Sequence, residues 1–359
     1  MRSSPNSLPL LLSSLALVAL GGCGGEDPPP TGDRAAALTT AADHASASVR
    51  TFAARVLALQ GAVADLCVEP IDGPQVVRTQ RAWIEAARAW AAVAPFFLGP
   101  LDDDLITPSI LFIESRRQRG IDYTETVREA AEAALASMAP MDAAFFDALS
   151  FNEVGLLALE VLLFEASAAA GRATEPAAIA ADYVERPRRC LYLFGVAGRL
   201  ASRAVRVRDE WTVAFGAEGT PFAAQLASGE LEDGSSSEAA LLVALFEHLD
   251  YERRRKIEGV SDAQLSGEFF ALQSAMLDSL RATLAGPGDA YGFLDELADR
   301  GEVATRERLL DGFEAASAAI EAEDEAGLGE AYQRLEDRIR SELPPALDVE
   351  LGLNFSDGD

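Results

Sequence analysis

From Val49 onward the apolar positions fall at Phe52, Val56, Leu59, Val63 and Leu66, in alternating steps of three and four. That spacing lays one stripe along a helix that packs against others. Pro70 and Asp72-Gly73-Pro74 end it. Val76, Gln80, Trp83, Ala87, Trp90 and Ala94 repeat the rhythm in a second helix, which Pro95 stops. A third starts at Pro187, a favoured first-turn position, and carries Leu193, Ala197, Leu200, Ala204, Val207 and Trp211 on one stripe. Arg199, Arg203 and Arg206 lie on another. Ser235-x-x-Glu238 reads as a capping box opening a helix with Leu241, Leu245 and Leu249. Further helices are predicted around 265–284, 305–321 and 326–343. No two-residue alternation bounded by hairpin turns occurs, so the chain reads as all-α, built from antiparallel bundles.

Two stretches break the pattern. Phe96 to Asp122 holds Gly99-Pro100, three consecutive aspartates from Asp102, Pro108 and Gly120, and reads as a long irregular excursion. Loops of that length inside a compact domain are often functional. Val154 to Phe164 is apolar on every side except at Glu160. A helix apolar all round is a buried helix, and an unpaired charge there costs several kcal/mol. Glu160 is therefore expected to meet an arginine, bind a metal, or hold a proton. Arg78, Arg81 and Arg88 are the candidate partners, and a plain buried ion pair stands beside a ligand-binding role.

The ends of the chain add an address. Arg2, an apolar run from Leu8 to Leu20 and then Gly21-Gly22-Cys23 describe an export signal, too short to span a bilayer. Leu20-Gly21-Gly22-Cys23 resembles a bacterial lipobox, which makes Cys23 the lipid-bearing first residue of the mature protein. Gly24 follows it where an aspartate would resemble an inner-membrane retention signal. The expectation is an exported lipoprotein anchored in the outer membrane, facing the periplasm or the cell surface. The proline-rich stretch after Cys23 is a tether. With Cys23 lipidated, Cys67 and Cys190 remain as a disulfide in an oxidising compartment, or as two buried thiols.

Composition narrows the partners. The 359 residues carry 58 acidic against 30 basic side chains, a formal charge of -28. Such a surface cannot replace counterions along a phosphate backbone, so nucleic acid is excluded as a partner. Every basic residue is arginine except Lys256, which reads as a compositional bias. The two histidines, His44 and His248, lie far apart; the first reads as solvated surface and the second as a satisfied core residue. No phosphate loop, nucleophile elbow or zinc-protease helix is present.

A family resemblance joins these pieces. Gly155 through Phe164 is similar to the G-x-H-x-x-E-x-L-L-F stretch of the imelysin family, exported helical proteins once catalogued as metallopeptidases. Trp90 to Pro100 resembles its tryptophan helix and Gly-Pro turn, and Arg189-Cys190-Leu191-Tyr192 with Asp209-Glu210-Trp211 its next long helix. The ending Leu351 to Asp359 resembles its terminal segment. The resemblance implies two packed four-helix bundles with a ligand site in the cleft between them, and an association with iron uptake or with other ligands. The organisation expected is a signal peptide over 1–22, a tether over 23–33, a first bundle over 34–182 and a second over 183–359.

The chain departs from the family at Leu157, where the family has histidine, and at Ala94, where it has glutamate. Losing an imidazole and a carboxylate removes most of a ligand field for iron or zinc. The resemblance therefore implies a non-enzymatic binding protein whose cleft is lined by Glu160, Arg88, Trp83 and Asp209. No cofactor is required; iron or another divalent ion held by Glu160 is the alternative. A metal-dependent hydrolase and a partner-binding lipoprotein with a vestigial cleft are the rival readings.

Overall fold

The computed structural model describes residues 32–68, 70–102, 109–115, 120–167 and 172–351. The signal at 1–22, Cys23 with most of the tether, the two aspartates after Asp102, and the terminal segment from Gly352 lie outside the described residues. Among those described, helices account for the regular structure and no strand forms beyond two single bridges.

Helix α1 (Arg34–Leu66) begins on Asp33, whose side chain accepts from the Ala36 amide. Its 33 residues make a rod of about 50 Å. Ala37, Ala41 and Ala45 continue the buried stripe of Val49 to Leu66 backwards, so the first turns pack through alanines that carry little hydrophobic contrast. Helix α2 (Gly73–Val93) opens with an Asp72–Gln75 capping box and buries Val76, Trp83, Ala87 and Trp90. Then come α3 (Thr124–Ala136), α4 (Ala143–Asp147), α5 (Gly155–Phe164), α6 (Pro176–Glu185), α7 (Arg188–Thr212) and α8 (Phe222–Ser228). The second half holds α9 (Ser237–Tyr251), α10 (Phe269–Ala285), α11 (Phe293–Asp299), α12 (Val303–Glu321), α13 (Glu325–Ser341) and α14 (Leu343–Leu347).

Packing sorts these helices into two groups, consistent with two bundles. In the first, α1 lies against α2, α7 and α8, with α5 and α6 closing on α2 and α7. In the second, α13 packs on α9 and α12, and α10 packs on α12. Helix α10 also lies along α2 and joins the groups. Helix α7 packs on α1, α3, α4 and α5, and α8 touches both α1 and α9. The amphipathic stripe of α7 specifies that it packs, but not on which neighbour.

The Cys67–Cys190 disulfide is present, its Cα atoms 5.6 Å apart, and ties the end of α1 to the first turn of α7. Two local readings change. The cap of α9 is Ser236, whose hydroxyl accepts from the Ala239 amide. Ser235 instead bonds Asp233. His44 is half-buried rather than solvated, because α10 lies along α1 and sets Ser279 Oγ 3.0 Å from its Nε2. Burial lowers the His44 pKa, with the Ser279 hydrogen bond opposing.

Glu238 takes part in a buried cluster instead of a capping box. Arg34 Nε lies 3.1 Å from Glu238 and 3.5 Å from Glu296, and Arg300 is 2.8 Å from Glu296. Burial, opposed by Arg34 and reinforced by Glu296, pushes the Glu238 carboxyl up to about 7. A carboxyl raised from its ordinary 4.5 holds its proton more tightly in the folded state. Its contribution to stability is full below 4.5 and is lost as pH rises through about 7. Glu238→Gln should therefore gain urea resistance relative to wild type between pH 5 and pH 8. A difference that is flat across that range would contradict the assignment.

Candidate functional site

Helix α5 is buried at every position, as its composition demands. Its start depends on Gly155, at φ +82°, where an added Cβ would sit 2.6 Å from the Ile113 carbonyl oxygen. Only glycine combines that backbone conformation with so close an approach. The Leu156 amide then donates to Ile113 O at 3.0 Å, pinning α5 to the irregular excursion. The carbonyls at the other end have no helical partner and are met by side chains. Gln80 donates to Leu163 O at 2.9 Å, and Tyr183 to Leu162 O at 2.8 Å. Buried Arg189 donates to Leu162 O and Glu165 O. Residues of α2, α6 and α7 thus hold one apolar helix in a fixed orientation.

That orientation sets Leu157 and Glu160 on the wall of a cavity of about 50 Å³ between the two groups of helices. Trp83 and Trp90 of α2 and its C-cap residue Ala94 face it, with Leu272, Gln273 and Met276 of α10 opposite. Glu114 and Ser115 enter from the excursion, and Glu252, Lys256 and Asp262 from the segment after α9. The three positions singled out by the family resemblance, Ala94, Leu157 and Glu160, therefore converge on one space. Trp83 Nε1 donates to Leu156 O at 3.0 Å and Trp90 Nε1 to Glu114 at 2.8 Å, so both indole N–H groups serve the wall. Ser115 Oγ is buried without a hydrogen-bond partner.

Glu160 is 2% exposed. Its Oε1 accepts from the Leu265 amide at 3.1 Å, the Ser266 amide at 2.9 Å and the Ser266 hydroxyl at 3.0 Å. Charge-assisted bonds of this kind stabilise a buried carboxylate. The expected α2 arginines are not its partners: Arg78, Arg81 and Arg88 are exposed, and Arg88 bonds Glu268 at 2.7 Å. They project from the face of α2 opposite the tryptophans, a consequence of the helical period. Of the expected lining, Trp83 and Glu160 come together. Arg88 and Asp209 do not line the cavity; Asp209 sits on α7 and accepts from Arg208 at 2.7 Å.

The strongest electrostatic feature was not anticipated. After Tyr251 the helix widens into a π turn over Glu252–Ile257, seen in the Glu258 N to Arg253 O bond of 2.9 Å. π turns recur at functional sites. This one turns Glu252 and Lys256 inward, both buried. Lys256 Nζ lies 2.5 Å from Asp262, 2.6 Å from Glu114 and 2.8 Å from Glu252. Tyr251 OH donates to Glu114 at 2.5 Å, and Gln273 donates to Glu252 at 2.8 Å while accepting from Tyr332 OH at 3.0 Å. His248 is fully buried, with Nε2 3.4 Å from Glu252. Burial works against the Lys256 charge, but Asp262, Glu114 and Glu252 together hold its pKa well above the ordinary value. Burial also raises Glu252, with Lys256 opposing.

The sequence carried one signal for this cluster: Lys256 is the only lysine in a chain that otherwise uses arginine. The choice has a physical reason. A compact ammonium with three donors satisfies three converging carboxylates, which a planar guanidinium fork cannot. The excursion, flagged by its length, supplies Glu114 and Ser115.

A metal at the family positions does not fit these residues. Ala94 and Leu157 offer hydrocarbon, and the Glu160 oxygen is taken up by the 265–266 turn. Among the described residues no group of three His, Cys, Asp or Glu stands open to hold a metal ion, the point between Glu114, Glu252 and Asp262 being filled by Lys256 Nζ.

Comparison with known proteins agrees with the fold. The family model for imelysin matches residues 38–347. An imelysin-like protein from Psychrobacter arcticum 273-4 superposes with a TM-score of 0.67 at 16% identity, over 90% of this chain and 99% of its own. A candidate iron-regulated protein A precursor from Parabacteroides distasonis ATCC 8503 superposes with a TM-score of 0.60 at 13% identity, over 90% and 96%. At those identities the likeness shows the fold. No curated protein sequence gives a significant match. With the family model spanning most of the chain, and Leu157, Glu160 and the α2 tryptophans around one cavity, the chain belongs to the imelysin family.

Proposed function

We propose that this protein is an exported, lipid-anchored ligand-binding protein of imelysin type, and that the cavity between the helix groups is its ligand site. One observation carries the reading: Trp83, Ala94, Leu157 and Glu160 line a single cavity together with the unpartnered hydroxyl of Ser115. Small-molecule sites are largely apolar spaces with a few fixed polar groups, and this space has that character. The anchor rests on the lipobox at Cys23, and none of the described helices is long and apolar enough to cross a membrane. Since Leu157 and Ala94 provide no metal ligands, recognition runs through hydrogen bonds and indole surface. An iron-related role, suggested by the name of the Parabacteroides protein, would then act through a complexed or organic ligand.

A thermal-shift screen of detergent-extracted mature protein tests this, with ferrous and ferric iron, zinc, copper, haem, acidic oligosaccharides and small organic molecules as probes. Its mass should show lipid on Cys23. An organic or complexed ligand should raise the melting temperature, and Ala91→Phe, which puts a ring where Ala91 lines the cavity, should remove that rise. A shift that survives Ala91→Phe, or no shift with any probe, would leave the cleft without a binding role.

A further inference from the structure

Three carboxylate oxygens converge on Lys256 Nζ at 2.5, 2.6 and 2.8 Å, from a loop after α9, the excursion and the π turn. A second layer, Tyr251, Trp90 and Gln273, fixes two of those carboxylates from behind. Carboxylates oriented by outer donors around one central charge are the architecture of a cation site. Here the central charge belongs to the chain itself. The ammonium cannot exchange with solvent, and its strongly raised affinity for its proton keeps it charged at any physiological pH.

We infer that Lys256 is the built-in cation of this site, occupying the place of a divalent ion and keeping the cavity wall assembled whatever the metal supply. This deepens the ligand-binding reading, on which it rests for its biological meaning. It also accounts for a family member that lacks the family's metal ligands and yet keeps an ordered inter-bundle cavity. The carboxylate ring around Lys256 is separate from the Ala94–Leu157–Glu160 positions, although both face the same space.

The distances name the ion that would fit if the lysine were cut back. Calcium takes oxygen ligands at about 2.3–2.6 Å, whereas magnesium demands about 2.0–2.1 Å and zinc about 2.0–2.2 Å to oxygen. Carboxylates already set 2.5–2.8 Å from the centre need to close by only a few tenths of an ångström for calcium. The neighbouring cavity of about 50 Å³ has room for the waters that complete a calcium shell, since each needs about 10–15 Å³.

The experiment compares the full chain with its Lys256→Ala variant in calcium chloride and in EDTA. Wild type should melt at the same temperature in both. Lys256→Ala should melt lower in EDTA and recover with calcium, saturably and with one ion bound per chain by titration calorimetry; magnesium should recover it poorly. If Lys256→Ala does not fold, Glu252→Gln/Lys256→Ala keeps Glu114 and Asp262 with less uncompensated charge. It should still bind one calcium ion per chain by titration calorimetry, because two charged carboxylates remain. A folded variant indifferent to calcium would overturn the inference. So would wild-type protein that loses stability in EDTA, since a metal would then be resident beside the lysine. Neither result depends on the Ala91→Phe screen, so the cation role and the ligand role can fail separately.

Discussion

Lys256→Met is expected to lose about 3–5 kcal/mol of unfolding free energy near pH 8, the usual cost of removing one partner from a buried charge cluster. Methionine keeps the length and apolar volume of the stem, so the loss reports the charge. It leaves buried Glu114 and Glu252 and half-buried Asp262 facing one another without the ammonium between them. Burial already raises the Glu252 carboxyl with Lys256 opposing, so losing the ammonium would raise it further above its unfolded value. Stability from such groups is full at low pH and is lost as pH rises through the raised values. The deficit should accordingly shrink toward pH 5. In wild type, the raised Lys256 pKa contributes stability that persists below the unfolded lysine value and is lost only in strong alkali, so it adds no slope between pH 5 and 8. Urea midpoints at the two pH values measure both effects. Lys256→Arg should rescue little, because its planar fork cannot meet three converging carboxylates. A Lys256→Met protein with the wild-type midpoint at pH 8 would show that the cluster is not a stability determinant.

Removing the disulfide should have an effect of similar size by a different route. Cys67 and Cys190 are 123 residues apart, and in the chain-entropy model closing so long a loop in the unfolded state is worth about 4–5 kcal/mol. Cys67→Ala/Cys190→Ala should therefore show a lower urea midpoint with a nearly unchanged native circular dichroism spectrum. Reductant should lower the wild-type midpoint toward that of the variant and leave the variant unmoved. Reductant that shifts both equally, or neither, would contradict the role of the bond. Its position explains the expected size: α7 packs along α1 in the first helix group, and the bond fixes that pairing where α1 ends.

Much of this molecule is legible in one dimension. The three-and-four spacing of Phe52 to Leu66, of Val76 to Trp90 and of Leu193 to Trp211 marks α1, α2 and α7, because an amphipathic stripe is a property of neighbouring residues. The burial of α5 follows from a segment with no polar face, and Gly155 and Glu160 stand out within it for the same local reason. The disulfide could be anticipated because two cysteines remained once Cys23 was assigned to the expected leader. Local pattern failed where several partners were chemically equivalent. The arginines of α2 were reasonable partners for Glu160 until the helix period carried them to solvent and a turn at Leu265–Ser266 provided amides instead.

The sequence by itself determined an all-helical chain, a buried α5 with one carboxylate, and the family. Only the tertiary structure decided that Glu114, Glu252 and Asp262, far apart along the chain, close around the single lysine beside that carboxylate. Periodicity is set by residues a few positions apart. The convergence of distant charges depends on how helices cross and on where one π turn aims its side chains, and no local pattern records either.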